Sequence, residues 1–247
     1  MQEFGENKMG KRIISQARGK GSHTYKVRRQ AFNIRLFYPR HLIGEGKVIK
    51  LINSSGHFSP IAKIMYKLNK EDVVFFIPAH KNMSEGDIIH FGNDLKDIKP
   101  GNILELKNIP INTAIYNIES RPFDGGKFIK TGGTSGIVNK IVNEEVYVIM
   151  PSKKEKKFNK NCRAIVGVVA GDGRLDKPFV KAGNRFHAKK AKSKLYPRTS
   201  AIKMNAIDHP FGSGRGKNPK SKIAKRNAPP GAKVGLLRPR RTGRKKR

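Results

Sequence analysis

The chain has 247 residues, 53 Lys and Arg against 18 Asp and Glu, a formal net charge of +35 and a pI near 10.6. With 36% hydrophobic residues it predicts a real core in one or two domains, while its single cysteine, Cys162, excludes an internal disulfide. Seven scattered histidines, from His23 to His209, give no four-ligand zinc cluster, and no apolar run approaches the ~20 residues of a membrane span. A polar start, Met1 to Lys8, is unlike a signal peptide, so a soluble intracellular protein is expected, with no membrane role, no metal site and no organic cofactor.

The charge is unevenly spread. Residues 1–35 carry nine basic and two acidic residues, and predict an extended basic N-terminal arm. Residues 36–160 are nearly balanced, with 19 basic and 13 acidic residues. From Asn161 to Arg247 stand 25 Lys and Arg against Asp172, Asp176 and Asp208 alone. Charge that dense opposes compaction and calls for a polyanion, since each phosphate neutralised releases condensed counterions.

The middle reads as strands in chain order. Lys47–Ile52, Ala62–Leu68, Val73–Ile77, Asp87–Phe91 and Asn102–Lys107 are short β-branched or aromatic runs. Turn signals such as Asn53-Ser54-Ser55-Gly56 and Pro100-Gly101 separate them. That spacing predicts a first small β-barrel over 36–108. Thr113–Glu119, Lys127–Thr131, Gly136–Val142, Glu145–Met150 and Arg163–Val169 predict a second over 109–170. After Gly171 the alternation ends, and 171–247 reads as a basic extended tail. Phe186–Lys194 is placed as one short basic helix. The Gly-, Pro-, Lys- and Arg-rich segment 205–247 buries too little to offset its ordering entropy, and is expected to be irregular and ordered on its partner.

Catalytic motifs fail on their missing parts. Gly132-Gly133-Thr134-Ser135-Gly136 lies between strands, without the Lys-Ser/Thr and following helix of a P-loop. In Gly212-Ser213-Gly214-Arg215-Gly216-Lys217, Asn218-Pro219 follows and no strand precedes. The bland explanation of such glycines is close backbone approach. Asp208-His209 has no second carboxylate or nucleophile beside it in sequence, so no enzyme is expected. Lacking zinc-finger spacing and groove-reading helices, the chain is not expected to bind DNA by sequence. Phe179, Phe186, Tyr196 and Phe211, interleaved with cations, suit stacking on unpaired RNA bases.

Several ordered motifs carry a resemblance. They are Asn108-Ile109-Pro110, Pro122-Phe123-Asp124-Gly125-Gly126-Lys127, Gly133-Thr134-Ser135 and Asn161-Cys162-Arg163-Ala164. Then come Leu175 to Asn184, Met204 to Gly212, Arg226 to Gly235 and Arg241-Thr242-Gly243-Arg244. Together they resemble the archaeal and eukaryotic form of the universal large-subunit ribosomal protein two family, over roughly Met9 to Arg247. The resemblance implies an all-β protein, an OB-fold barrel followed by an SH3-like barrel, with a long irregular extension into RNA. It implies a primary binder of large-subunit rRNA that supports assembly, subunit association and the peptidyl-transferase region. Its partners would be that rRNA, neighbouring ribosomal proteins and the small subunit, and its place the ribosomes of the cytoplasm. The family's loop near the catalytic RNA maps to Asn205–Gly214, where His209 would position RNA.

Three departures stand out: an additional leader over Met1 to Lys8, Ser213 where the family usually has glycine, and Arg215-Gly216-Lys217-Asn218 without the histidines of archaeal relatives. Asp172 replaces a frequent glycine and is a candidate for a hydrated magnesium shared with RNA. The alternative is a general basic nucleic-acid-binding protein or RNA chaperone outside the ribosome.

The RNA-binding residues expected in the arm are Arg12, Arg18, Lys20, Lys26, Arg28 and Arg29. In the tail they are Lys177, Lys181, Arg185, His187, Lys189, Lys190, Arg198, Asn205, His209, Arg215, Lys217, Arg226, Asn227, Lys233, Arg238, Arg240, Arg241 and Arg244. Arg binds phosphate bidentately and Lys as a point charge.

Overall fold

The computed structural model describes residues 10–69, 71–92, 98–214, 223–224 and 226–237. Two compact units share them: Arg28–Arg185, and a second made of Met1–Val27 with Phe186–Arg247.

The first unit is all-β. Its strands are β1 (Gly44–Ile52), β2 (Ile61–Leu68), β3 (Glu71–Pro78), β4 (Ile88–Phe91), β5 (Ile103–Glu105), β6 (Ala114–Tyr116), β7 (Gly136–Val142), β8 (Glu145–Ile149), β9 (Glu155–Asn159) and β10 (Arg163–Val166). They form one hydrogen-bonded series, β3-β2-β1-β4-β5-β10-β6-β7-β8-β9, in agreement with the OB-fold and SH3-like barrels expected. Every pairing is antiparallel except β4 with β5.

Two hydrophobic clusters fill this unit. Val48, Ile64, Tyr66, Phe75, Ile77, Ile89 and Phe91 build the first around β1–β4. Leu104, Ile115, Val138, Val146, Val148, Phe158 and Cys162 build the second around β5–β9. β10 joins them: Ile165 points into the first, Ala164 and Val166 into the second. Successive side chains on a strand face opposite ways, so a strand buried at all four positions serves two cores. Burial pushes the Cys162 thiol up to about 11, with Glu119 adding to the effect, so it is an inert core group.

The sequence expectations differ from the structure at four places. Lys127–Thr131 is not a strand and keeps only the bridge Ile118↔Phe128, because Ile129 is left-handed at φ 56° and breaks the pleat. β9 was not expected; Glu155-Lys156-Lys157-Phe158-Asn159 has one apolar residue and lies at the sheet's edge, where charge is protective. The arm contains a helix, α1 (Ile14–Gly19), ahead of which the Ile13 N–H donates to the Gln16 side-chain oxygen at 3.2 Å. The basic helix, α2, spans Ala182–Ala191 and starts ahead of Phe186 despite Gly183 and Asn184, residues of low helix propensity.

In the second unit the only buried hydrophobic residue among those described is Ile13. Hydrogen bonds to backbone oxygens hold it instead. Lys11 N–H donates to Ile207 O at 2.9 Å, Ser193 Oγ to Lys26 O at 2.9 Å and Ala224 N–H to Leu236 O at 3.0 Å. Gly231 lies so close to Gln16 that a Cβ there would sit 2.9 Å from its amide. Among the described residues no helix is long and apolar enough to cross a membrane.

Candidate nucleic-acid interface

The sequence placed its candidate residues on the arm and tail, and the structure puts the described ones at the surface. Arg12, Arg18, Lys20 and Lys26 are exposed on the arm, Arg18 in the last turn of α1. Arg28 and Arg29, also exposed, enter a single 3-10 turn, Arg29–Ala31. Lys177 and Lys181 are exposed ahead of α2; Arg185, His187, Lys189 and Lys190 lie on it. No residue of this helix is buried. A helix of ten residues is marginal in water without packing, so α2 has a face to give to a partner. Beside it Leu175, Phe179 and Val180 are 77%, 51% and 86% exposed. Apolar groups standing out among cations suit stacking and packing against RNA. The sequence had singled out only Phe179 of these three, because neither Leu175 nor Val180 carries charge or a ring.

Arg198 is exposed, as are Arg226, Asn227 and Lys233. Lys233 Nζ donates to Arg226 O at 3.0 Å and so also closes its own turn. Arg215, Lys217, Arg238, Arg240, Arg241 and Arg244 lie outside the described residues.

Asn205 and His209 stand in a closed loop. The N–H groups of Asp208 and His209 both donate to Asn205 O, at 3.0 and 3.2 Å; Gly212 N–H donates to His209 O at 2.8 Å and Ser213 N–H to Met204 O at 3.1 Å. Phe211 N–H donates to His209 Nδ1 at 3.0 Å. Nδ1 is thereby an acceptor, so in the neutral ring Nε2 carries the proton and is the donor offered to a partner. A donor suits a phosphate or carbonyl oxygen. No nucleophile or second carboxylate bonds to this ring among the described residues, so the geometry is that of a positioning contact.

The glycine pair Gly132-Gly133 is structural. A Cβ on Gly132 would meet Gly171 O at 2.8 Å, and one on Gly133 would meet Asp172 Cα at 2.6 Å. These are backbone-to-backbone approaches. Asp172 itself is engaged: Lys81 Nζ is 2.9 Å from Oδ2, and Gly173 N–H donates to Oδ1 at 3.0 Å. The hydrogen bond from Lys81 holds this carboxyl below its usual range. A magnesium ion there would have to displace Lys81. Among the described residues no three His, Cys, Asp or Glu are grouped to hold a metal.

Among the described residues most ion pairs lie within the barrel unit. Some cations of the barrels have local partners: Lys107 with Glu105 at 2.6 Å, Lys140 with Glu155 at 4.0 Å, Lys157 with Glu145 at 2.8 Å, and Lys160 with Glu144. Among the described residues, Arg12, Arg18, Lys20, Lys26, Arg28, Arg29, Lys177, Lys181, Lys189, Lys190, Arg198, Arg226 and Lys233 have no carboxylate within 4.0 Å.

Paired barrels carrying segments almost without a core, and studded with unneutralised cations, define a basic all-β protein built around a polyanion. The sequence matches the family described as Ribosomal Proteins L2, C-terminal domain, over residues 99–231. It is 45% identical over 238 residues to the large ribosomal subunit protein uL2 of Archaeoglobus fulgidus, an alignment covering 95% of this chain and 99% of that one. The uL2 proteins of Methanocaldococcus jannaschii (243 residues; 95% and 99%) and Methanococcoides burtonii (241 residues; 96% and 100%) are each 42% identical to it. The chain belongs to the uL2 ribosomal protein family.

Proposed function

We propose that this chain is a structural constituent of the large ribosomal subunit, a primary rRNA binder residing in cytoplasmic ribosomes. The observation that carries this is the run of cations on the arm and tail that, among the described residues, have no carboxylate within 4.0 Å. Cations without partners repel one another in water and are stabilised when phosphates replace the missing carboxylates. The barrels serve as the rigid base. The Asn205–Gly214 loop reaches toward the peptidyl-transferase RNA, where His209 positions and RNA does the chemistry. Contacts with neighbouring ribosomal proteins and with the small subunit complete the set of partners. A general nucleic-acid binder or chaperone would share the charge but not the family's motifs.

The test is crosslinking of the protein to RNA in intact cells, with every crosslinked nucleotide sequenced. Crosslinks confined to large-subunit rRNA, with residues 205–214 at the peptidyl-transferase region, are expected. Crosslinks scattered over many RNAs or DNA would refute the ribosomal assignment.

Two results follow for single residues. Replacing any one of Arg238, Arg240, Arg241 or Arg244 by Ala lowers the slope of log affinity against log salt by about one. Titrations of large-subunit rRNA across a salt series check it, and an unchanged slope in all four variants contradicts it. His209→Ala reduces assembly, while subunits that do form still transfer peptides in a single-turnover assay. Loss of transfer in fully assembled subunits would return a catalytic role to this histidine.

A further inference from the structure

The loop after β6 holds cations that the sequence analysis did not select. Lys127 is exposed and Lys130 half-buried, and Arg35 lies on the segment that packs against the same loop. That packing is close. Tyr38 N–H donates to Gly125 O at 3.3 Å, and a Cβ on Gly125 would sit 2.9 Å from Phe37 Cβ. The Arg35 guanidinium stands 5.6 Å from the Phe37 ring centre. None of the three cations has a carboxylate within 4.0 Å among the described residues.

Asp124 is the carboxylate that acts on Lys130, and its oxygens are already committed. Oδ2 accepts from the Ser120 hydroxyl, from Ser120 N–H at 3.0 Å and from Arg121 N–H at 3.3 Å; Oδ1 accepts from Gly126 N–H at 3.2 Å. Burial pulls the Lys130 ammonium below the usual lysine range; Lys127 and Arg35 lower it further, against the attraction of Asp124. The free protein therefore holds this charge at a cost. The backbone is strained at the same place. Ile129, a β-branched residue next to Lys130, is left-handed at φ 56°, and Phe123 in the same loop at φ 67°. Such strained residues collect where a side chain must be aimed. Asn117 N–H donates to Ile129 O at 2.9 Å and fixes the turn.

We propose that Arg35, Lys127 and Lys130 form a phosphate-binding site on the barrel unit, occupied by a phosphodiester of the RNA backbone. The proposal rests on the rRNA-binding function given above, and adds to it a contact on the folded base by residues other than those that the sequence singled out. A phosphate supplies the negative charge that Asp124 cannot, and removes the repulsion among the three cations.

The experiment uses the full chain and transcribed large-subunit rRNA of Archaeoglobus fulgidus. Lys127→Gln with Lys130→Gln is expected to lower the slope of log affinity against log salt by about 1.5 and the affinity roughly tenfold. Its thermal midpoint should not fall, since removing a mutually repelling pair relieves the fold; Arg35→Gln provides a second variant from a different segment. Amine labelling read by mass spectrometry should show Lys130 modified in the free protein and protected by the RNA. A double variant with the wild-type slope, or equal labelling of Lys130 with and without RNA, would overturn the site while leaving rRNA binding intact. Protection by millimolar inorganic phosphate as complete as by RNA would overturn its assignment to a phosphodiester. Failure of the wild-type chain to prefer large-subunit rRNA over transfer RNA would instead strike at the function, and this site with it.

Discussion

Arg163→Ala is expected to destabilise the barrel unit by about 3–5 kcal/mol, the usual cost of removing one partner from a buried ion pair. Glu119 is fully buried and Arg163 is 7% exposed. The carboxylate accepts from Arg163 Nη2 at 2.8 Å, from Arg163 Nε at 3.2 Å and from the Arg163 backbone N–H at 2.9 Å. It also accepts from Gly125 N–H at 3.1 Å and Phe123 N–H at 3.3 Å. Arg163 Nη1 in turn donates to Pro39 O at 2.7 Å, and its guanidinium lies 5.3 and 5.2 Å from the Tyr38 and Phe123 ring centres. One pair thus ties together β10, the entering segment and the Glu119–Gly126 loop. Truncating the arginine leaves a buried carboxylate without its counter-ion. At 2–4 °C per kcal/mol for a unit of this size, the thermal midpoint should drop by roughly 10 °C. Arg163→Lys keeps the charge but loses the forked geometry and the carbonyl contact, so its loss should fall between wild type and alanine. Urea unfolding of the three proteins decides it. An alanine variant within about 1 kcal/mol of wild type would mean that the pair contributes no more than an exposed one.

None of this pairing was legible in the sequence. Glu119 and Arg163 are 44 residues apart; Glu119 looked like one more charge in a balanced region, and Arg163 like one more cation of the basic stretch from Asn161. What the sequence did carry was local. Short β-branched or aromatic runs between turn signals marked β1, β2, β3, β7 and β8. β9 escaped because an edge strand with Lys156 and Lys157 has little apolar signal to show. The strained turn at Ile129 escaped because a β-branched residue argues for extended backbone, and tertiary packing overrode that preference. The interface was legible as charge alone. Density of Lys and Arg singled out the arm and tail, yet gave no means of finding Lys127 and Lys130, which lie where acids nearly balance bases. Nor did it show that arm and tail fold into one unit: Lys11 and Ile207 are joined by a backbone hydrogen bond that no local pattern encodes.

Gly212→Ala is expected to cut incorporation into large subunits by tenfold or more while leaving the barrels folded, since assembly needs one geometry of the 205–214 loop. A Cβ at Gly212 would sit 2.2 Å from Asn205 O and 2.6 Å from Met204 O. Both are backbone atoms, and both accept the hydrogen bonds that close the loop: Asp208 and His209 N–H on Asn205 O, Ser213 N–H on Met204 O. No flexible side chain can move aside, so the loop must open. Opening it releases the His209 ring from Phe211 N–H and with it the tautomer that offers Nε2 as donor. The disturbance extends to the arm through the Lys11 contacts, N–H to Ile207 O at 2.9 Å and Nζ to Asp208 at 4.0 Å. With Ile13 as its only buried hydrophobic residue among those described, this unit has no core to absorb the change. The barrel unit, with its two hydrophobic clusters, should keep its thermal midpoint. Ser213→Gly is the informative control. Ser213 is left-handed at φ 62°, which glycine adopts without strain, so this neighbouring change should assemble as well as wild type or better. Sucrose-gradient quantification of tagged protein in subunits compares the two. Wild-type incorporation of Gly212→Ala would show that the closed loop is not what the RNA recognises, and would leave the exposed cations of the arm, α2 and the rest of the tail to carry recognition by themselves.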